Sequence, residues 1–311
     1  RSGDTAVKRF IRNYKLLQDK QMKENPRLFI GTMYSGENEY EECKEMIFAQ
    51  TYWNFEHFVY KDLNYKDAHD ALYNEFMSKS DEFDIMIKVD ADMVIREKTF
   101  FEWVINQFQS DNELDMLTMA LHDFYLDDHI WGMHAYRNTV KWNTGNEIVY
   151  TDRMHVDATI RKHKWHHEII ADHCKDPSPF QAFHFGFHRA LKAVQPGRIK
   201  AKLDGNYRKM EQVYLNYKKT GNIKLAFALA GAELMYNNNF KEENISYNDN
   251  LKYIFKNLFG KSTDELDAYI TKCRSKTYRK LPYPYNYYFL FLKFRIKSFL
   301  FPIMHERSSE F

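Results

Sequence analysis

One stretch constrains this chain more than any other: Phe83-Asp84-Ile85-Met86-Ile87-Lys88-Val89-Asp90-Ala91-Asp92-Met93-Val94-Ile95. Ile85, Ile87 and Val89 alternate with Met86 and Lys88, and β-branched residues dominate, which predicts a buried strand of an α/β sheet. Asp90 and Asp92 fall where that strand ends, and open α/β sheets bind ligands beyond the carboxyl ends of their strands. Carboxylates at i and i+2 of a strand point the same way. Left alone they repel, and one is driven toward protonation. A divalent cation relieves that conflict, and an oxygen donor set suits Mg²⁺ or Mn²⁺ shared with substrate phosphates. Asp-x-Asp by itself is common in solvated turns; its placement after a strand gives it weight.

The flanking sequence supplies the rest of a sheet. Arg27 to Tyr34 predicts a first strand, Ser35 to Asn38 a turn, Tyr40 to Gln50 a helix, Phe55 to Tyr60 a second strand and Lys66 to Lys79 a second helix. Strand, helix, strand, helix, strand implies parallel strands joined by right-handed crossovers. Lys98 to Gln109 predicts a further helix and Asp115 to Ala120 a further strand. The 311 residues are 44% hydrophobic and 28% charged, enough for a sizeable core. A net charge of +2 argues against nucleic acid as a partner.

At Leu28 to Ile95 the chain resembles the N-terminal half of family 2 glycosyltransferases of the bacterial surface-glycan type. Those enzymes carry a phrase of the form I-x-x-Q-x-Y-x-N-x-E-x-x-V. Ile47, Gln50, Tyr52, Asn54, Glu56 and Val59 stand at its positions here. The resemblance implies the GT-A fold: a Rossmann-like mixed sheet flanked by helices, here with a helical C-terminal extension. It implies a nucleotide-sugar donor, a Mn²⁺ or Mg²⁺ ion, a hydroxyl acceptor and inversion at the sugar. Asp62, following Tyr60-Lys61 where the family has consecutive aspartates, is the expected nucleotide contact, with Thr32, Tyr34, Glu37 and Asp90. Asp90 and Asp92 form the expected metal motif.

Seven of the 13 histidines lie between His155 and His188. Trp165-His166-His167-Glu168 and His184-Phe185-Gly186-Phe187 are similar to family phrases W-x-x-x-H-E and H-x-G-x, with a shorter Trp-to-His gap. The resemblance implies a later histidine as a metal ligand, His184 first and His188 second. Inverting transfer needs a general base for the acceptor hydroxyl. Glu168 fits, with Asp172, one helical turn on, as its rival and His167 beside it to position acceptor or leaving phosphate.

The expected organisation is an N-terminal helical extension (1–25), a catalytic domain (26–204), a helical region (205–280) and a basic aromatic tail (281–311). Ser262 or Thr263 is placed to cap a helix starting near Asp264. Lys272 to Lys297 holds eight Lys/Arg and no Asp/Glu, interleaved with Tyr and Phe. That pattern suits an anionic membrane surface, and with the resemblance it suggests a glycan or lipid-linked acceptor. No run of 18 apolar residues is present, so nothing is expected to span a membrane. The three sparse cysteines make no disulfide framework, which points to a reducing cytoplasm, with the protein peripheral on the inner face of the membrane. Two other readings stay open: a metal-dependent hydrolase built on the histidine cluster, and a non-catalytic glycan- or membrane-binding module on a transferase fold.

Overall fold

The structure is a computed structural model that describes residues 22–142, 160–194, 205–237 and 249–280. His155, the basic aromatic tail and all but the last residues of the expected N-terminal helix lie outside these. The chain divides into two compact units. One holds the described residues up to Phe124, those from Asp128 to 142, and 160 to Asp176. The other holds Tyr125–Asp127 and the described residues from Pro177 on.

The first unit is built on a seven-stranded sheet in the order β2-β1-β3-β6-β5-β7-β4. Its strands are β1 (Leu28–Tyr34), β2 (Phe55–Lys61), β3 (Ile85–Lys88), β4 (Met93–Ile95), β5 (Leu114–Asp123), β6 (Asp128–Arg137) and β7 (Lys162–His173). Helices α1 (Tyr40–Phe48), α2 (Tyr65–Ser78) and α3 (Phe100–Ser110) connect the early strands. β1 pairs in parallel with both β2 and β3, as the strand–helix alternation requires. Leu28, Phe29, Ile30 and Thr32 are buried, β1 being an interior strand paired on both sides. The sheet then turns mixed: β6 runs antiparallel to β3 and β5, while β5 and β7 run parallel. The expected α/β class with a mixed sheet flanked by helices is what the chain adopts.

The phrase around Gln50 is structural. Gln50 Nε2 donates to the carbonyls of Met46 and Glu97, and its Oε1 accepts from the Phe101 backbone N–H. It therefore ties the end of α1 to the start of α3. The Tyr52 hydroxyl and the Asn54 amide both donate to the Pro26 carbonyl, fixing the entries to β1 and β2 side by side.

One local expectation is corrected, the helical spacing of Glu168 and Asp172. The aromatic stretch after His122 contains β6. Tyr136 and Trp142 are buried and pack edge-on, with Trp142 stacked on Tyr73 at 4.9 Å. Glu168 and Asp172 are not a helical turn apart but stand on β7. Bulges hide that strand's period. Met119 faces His166, Ala120 faces Ile169 and Leu121 faces Ala171, leaving His167, Glu168 and Ile170 as extra residues.

The second unit, as described, is helical: α4 (Pro179–Val194), α5 (Gly205–Thr220), α6 (Ile223–Asn237), α7 (Asp249–Lys256) and α8 (Thr263–Lys280). α6 is apolar on nearly all sides and buried almost throughout. Its small residues allow α4 to approach at backbone distance. Ser262 caps α8 as expected: its hydroxyl accepts from the Glu265 N–H, and Glu265 accepts from the Ser262 N–H. No described helix is long and apolar enough to cross a membrane.

Glu233 of α6 is buried near Arg274, which also holds Glu211 through two bonds of 2.9 and 3.0 Å. Burial pushes the Glu233 carboxyl up to about 7, against the pull of Thr277 and Arg274. The folded chain thus binds a proton that the unfolded chain has already lost above its ordinary value of 4.5. This contribution is favourable at low pH and is lost as pH rises from 4.5 through 7. Urea unfolding across that range is expected to show the decline in wild type and a shallower one in Glu233→Gln.

Candidate active site

The site forms where β1 and β3 end. β1 lies between β2 and β3, so successive crossovers leave it in opposite directions, which opens a crevice at its carboxyl end. β1 runs into Ser35 and Gly36, whose φ of +104° suits glycine, and on to Glu37. β3 runs into a β-turn in which the Asp90 carbonyl accepts from the Met93 N–H at 2.9 Å. Asp90 and Asp92 occupy the first and third positions of that turn rather than a continuing strand. The turn passes the chain to β4, which pairs with β7.

That pairing brings together residues far apart in sequence. His173 lies opposite Met93 of β4 and opposite Asp123 of β5. Its Nδ1 bonds Asp123 Oδ2 at 2.7 Å, and its Nε2 sits 3.4 Å from Asp92 Oδ2. Cys174 follows; its N–H donates to the Asp92 carbonyl at 2.8 Å and its thiol to Asp92 Oδ2 at 3.2 Å. The Asp176 N–H is held by Glu39 Oε1 at 2.9 Å, and its carbonyl by the Asn38 amide at 2.7 Å. The β7 exit loop is thereby clasped to the β1 loop.

The electrostatics are those of an acidic site partly neutralised from within. Lys88, 0% exposed, extends from β3 to Asp90 Oδ2 at 2.5 Å. Burial and the charges of Asp92 and Asp90 push Glu37 up to about 7, although its Oε2 accepts from the Ser35 N–H at 2.6 Å. Burial raises Asp92 as well, but His173 overrides it and holds the carboxyl at about 2. Burial opposes charge on His173. The adjacent Cys174 sulfur and the carboxylates of Asp92 and Asp123 outweigh it and lift the imidazole well above its ordinary range.

The donor set fits a cation. Asp92 Oδ1 is buried and accepts no hydrogen bond among the described residues. The nearest imidazole has one nitrogen pinned by a carboxylate and the other turned toward Asp92, the arrangement that orients a metal-ligating histidine. Asp92, His173 and Cys174 are the described residues whose donor atoms converge.

The other expected residues fall as follows. Thr32 is buried, its hydroxyl 2.9 Å from His57 Nε2. Tyr34 stacks on Tyr40 at 4.1 Å, with the Lys61 ammonium about 6 Å from each ring. Asp62 follows β2 in a left-handed conformation (φ 55°), its N–H on the Tyr34 carbonyl. Glu168 is 91% exposed on the β7 bulge, and His167 beside it meets Trp131 edge-on at 5.0 Å. Asp172 pairs with Arg96 through two bonds. His184 and His188 stack one helical turn apart on α4, in the other unit. The sequence reading passed over Asp123, His173 and Cys174 as site residues. The sequence signal for His173 and Cys174 was the run Asp172-His173-Cys174 within the histidine cluster; Asp123 carried none.

No protein-family pattern matches the sequence, and no curated protein matches it. Among solved structures, the mannosyltransferase PcManGT from Pyrobaculum calidifontis, in complex with GDP-Man and Mn²⁺, is similar at 11% identity and a TM-score of 0.34. The match covers 83% of this chain and 88% of that one. A197 from STIV is similar at 13% identity and a TM-score of 0.28, over 36% of this chain and 64% of that one. At such scores neither likeness carries an argument about this chain.

Proposed function

We propose that this chain transfers a sugar from a nucleotide-sugar donor to a hydroxyl acceptor, with a divalent cation at Asp92. The carrying observation is the cluster of Glu37, Asp90 and Asp92 at the carboxyl ends of β1 and β3, with His173 fixed against it by Asp123. That is where an α/β sheet receives a nucleotide, and an acidic cluster there needs a cation before it can accept a diphosphate.

Asp92 and His173 would hold the cation, which when bound supplies Lewis-acid stabilisation to the leaving diphosphate. Lys88 steadies the Asp90 carboxylate, leaving it to meet the ribose or a metal-bound water. Tyr34, stacked on Tyr40 beside Lys61, offers an aromatic face and a positive charge to the nucleotide, with Asp62 at the loop edge. Glu168 is the proposed base: it is open to solvent, whereas Asp172 is committed to Arg96. His167 and Trp131 beside it suit an acceptor sugar. A glycan or lipid-linked acceptor, and work at an anionic membrane surface, rest on the sequence resemblance and the basic aromatic tail.

The test is a screen of nucleoside diphosphates and CMP by thermal shift, each with and without Mn²⁺, followed by assay of the matching nucleotide sugars for nucleotide release. A ligand that binds only the folded state raises its apparent stability. A metal-dependent shift for one nucleotide, with sugar transfer from its conjugate, is the expected result. The metal-dependent hydrolase is favoured by the Asp-His-Cys donor set. It predicts no nucleotide shift and a strong shift with Zn²⁺ alone.

A further inference from the structure

We infer that Cys174 is a metal ligand, and that Asp92, His173 and Cys174 form a three-residue site selective for a thiophilic, zinc-class cation. The inference rests on distances within one unit. Asp92 Oδ2 to Cys174 Sγ is 3.2 Å, Asp92 Oδ2 to His173 Nε2 is 3.4 Å, and Cys174 Sγ to His173 Nε2 is 3.6 Å. Tetrahedral bonds of about 2.3 Å to sulfur and about 2.0–2.1 Å to nitrogen and oxygen put such donors about 3.4 Å (O to N) and about 3.5 Å (pairs with S) apart. The three atoms therefore outline one face of a tetrahedron of zinc dimensions. Three protein ligands leave a tetrahedral ion one further corner, which in catalytic zinc sites is the open position for water or substrate.

The surroundings supply what such a site needs. Asp123 fixes the His173 ring through Nδ1 at 2.7 Å, so that Nε2 is the nitrogen presented. The backbone bond from Cys174 N–H to the Asp92 carbonyl locks the sulfur to the carboxylate it must share an ion with. Cys174 holds this place in a left-handed conformation at φ 51°, costly for a residue that only fills space. On binding, its thiol proton and that on His173 Nε2 leave to solvent as the sulfur–metal and nitrogen–metal bonds form. Thiolate is a poor ligand for Mg²⁺ and a good one for zinc-class ions, so Cys174 sets the preference. Assigning the open corner to a donor-phosphate oxygen rests on the transferase reading; the three-ligand site does not.

The test uses Co²⁺ as a spectroscopic stand-in for Zn²⁺ on the full chain. Wild type is expected to develop an intense near-ultraviolet thiolate-to-cobalt band at one equivalent, displaced by Zn²⁺ but not by equimolar Mg²⁺. Cys174→Ser is expected to lose the band. Its Zn²⁺ affinity should fall by at least the roughly 10- to 100-fold seen when only an outer partner of a metal site is removed, while its Mn²⁺ affinity changes far less. Absence of the band in wild type overturns the inference without recourse to any variant, and so does an unchanged Zn²⁺-to-Mn²⁺ preference in a folded Cys174→Ser. Addition of the nucleoside diphosphate found in the thermal screen should perturb the cobalt spectrum through the open corner. A thiolate band with no nucleotide response would retain the site and sink the transferase reading. Metal-dependent nucleotide binding with no thiolate band would do the reverse.

Discussion

Asp92→Ala is expected to abolish metal-dependent sugar transfer while leaving the protein folded. The Asp92 side chain offers the cation a buried oxygen with no hydrogen bond of its own among the described residues, and a second oxygen facing His173 and Cys174. Lewis-acid stabilisation of a leaving diphosphate is worth several kcal/mol. At about 1.4 kcal/mol per tenfold, its loss should lower turnover by about 100-fold or more. The fold should survive because the backbone carbonyl of Asp92 anchors Cys174, and Asp123 still pairs with His173. The check is initial rate against Mn²⁺ or Zn²⁺ concentration, with circular dichroism as the control. Full metal-dependent turnover in a folded Asp92→Ala would remove this residue from the cation and the proposed mechanism with it.

The second large effect lies in the helical unit. An ideal Cβ built on Gly186 of α4 falls 1.7 Å from the Ala228 carbonyl oxygen, and one on Gly231 of α6 falls 2.0 Å from the Phe183 carbonyl oxygen. Both obstacles are backbone, so no side chain can swing aside. The two helices must separate or one must shift along the other, uncovering buried Phe183, Phe187 and Leu229. Overpacking a core costs about 1–3 kcal/mol when side chains can adjust, occasionally more. Gly186→Ala or Gly231→Ala is therefore expected to cost about 3 kcal/mol or more, read as a lower urea midpoint. Alanine at Gly221, where φ is +65° and nothing lies within 4 Å, separates crowding from backbone preference: it should be much milder.

The small residues of Leu225 to Ala232 suit close helix packing, but nothing local in the sequence identifies Gly186 as the partner across the crossing. The same division holds at the site. Asp90 and Asp92 could be placed at a strand end because Ile85, Ile87 and Val89 carry a period of two, and the strand–helix alternation before them dictates a parallel trio. Such signals are local, since each residue's burial follows from neighbours within a few positions. The Gln50, Tyr52 and Asn54 phrase was legible as a motif, though its work is to join strand entries rather than to touch a substrate. His173, Cys174 and Asp123 were not legible. Their convergence depends on the register of β7 against β4 and β5, and that register is set by bulges that consume His167, Glu168 and Ile170. A one-residue slip would turn His173 to the opposite face of the sheet. The sequence by itself thus determined the parallel half of the sheet and the acidic turn at its edge. The tertiary structure alone decided which histidine, which cysteine and which second carboxylate meet there, because strand pairing across 50 to 80 residues is a property of the folded sheet and not of any window of the chain.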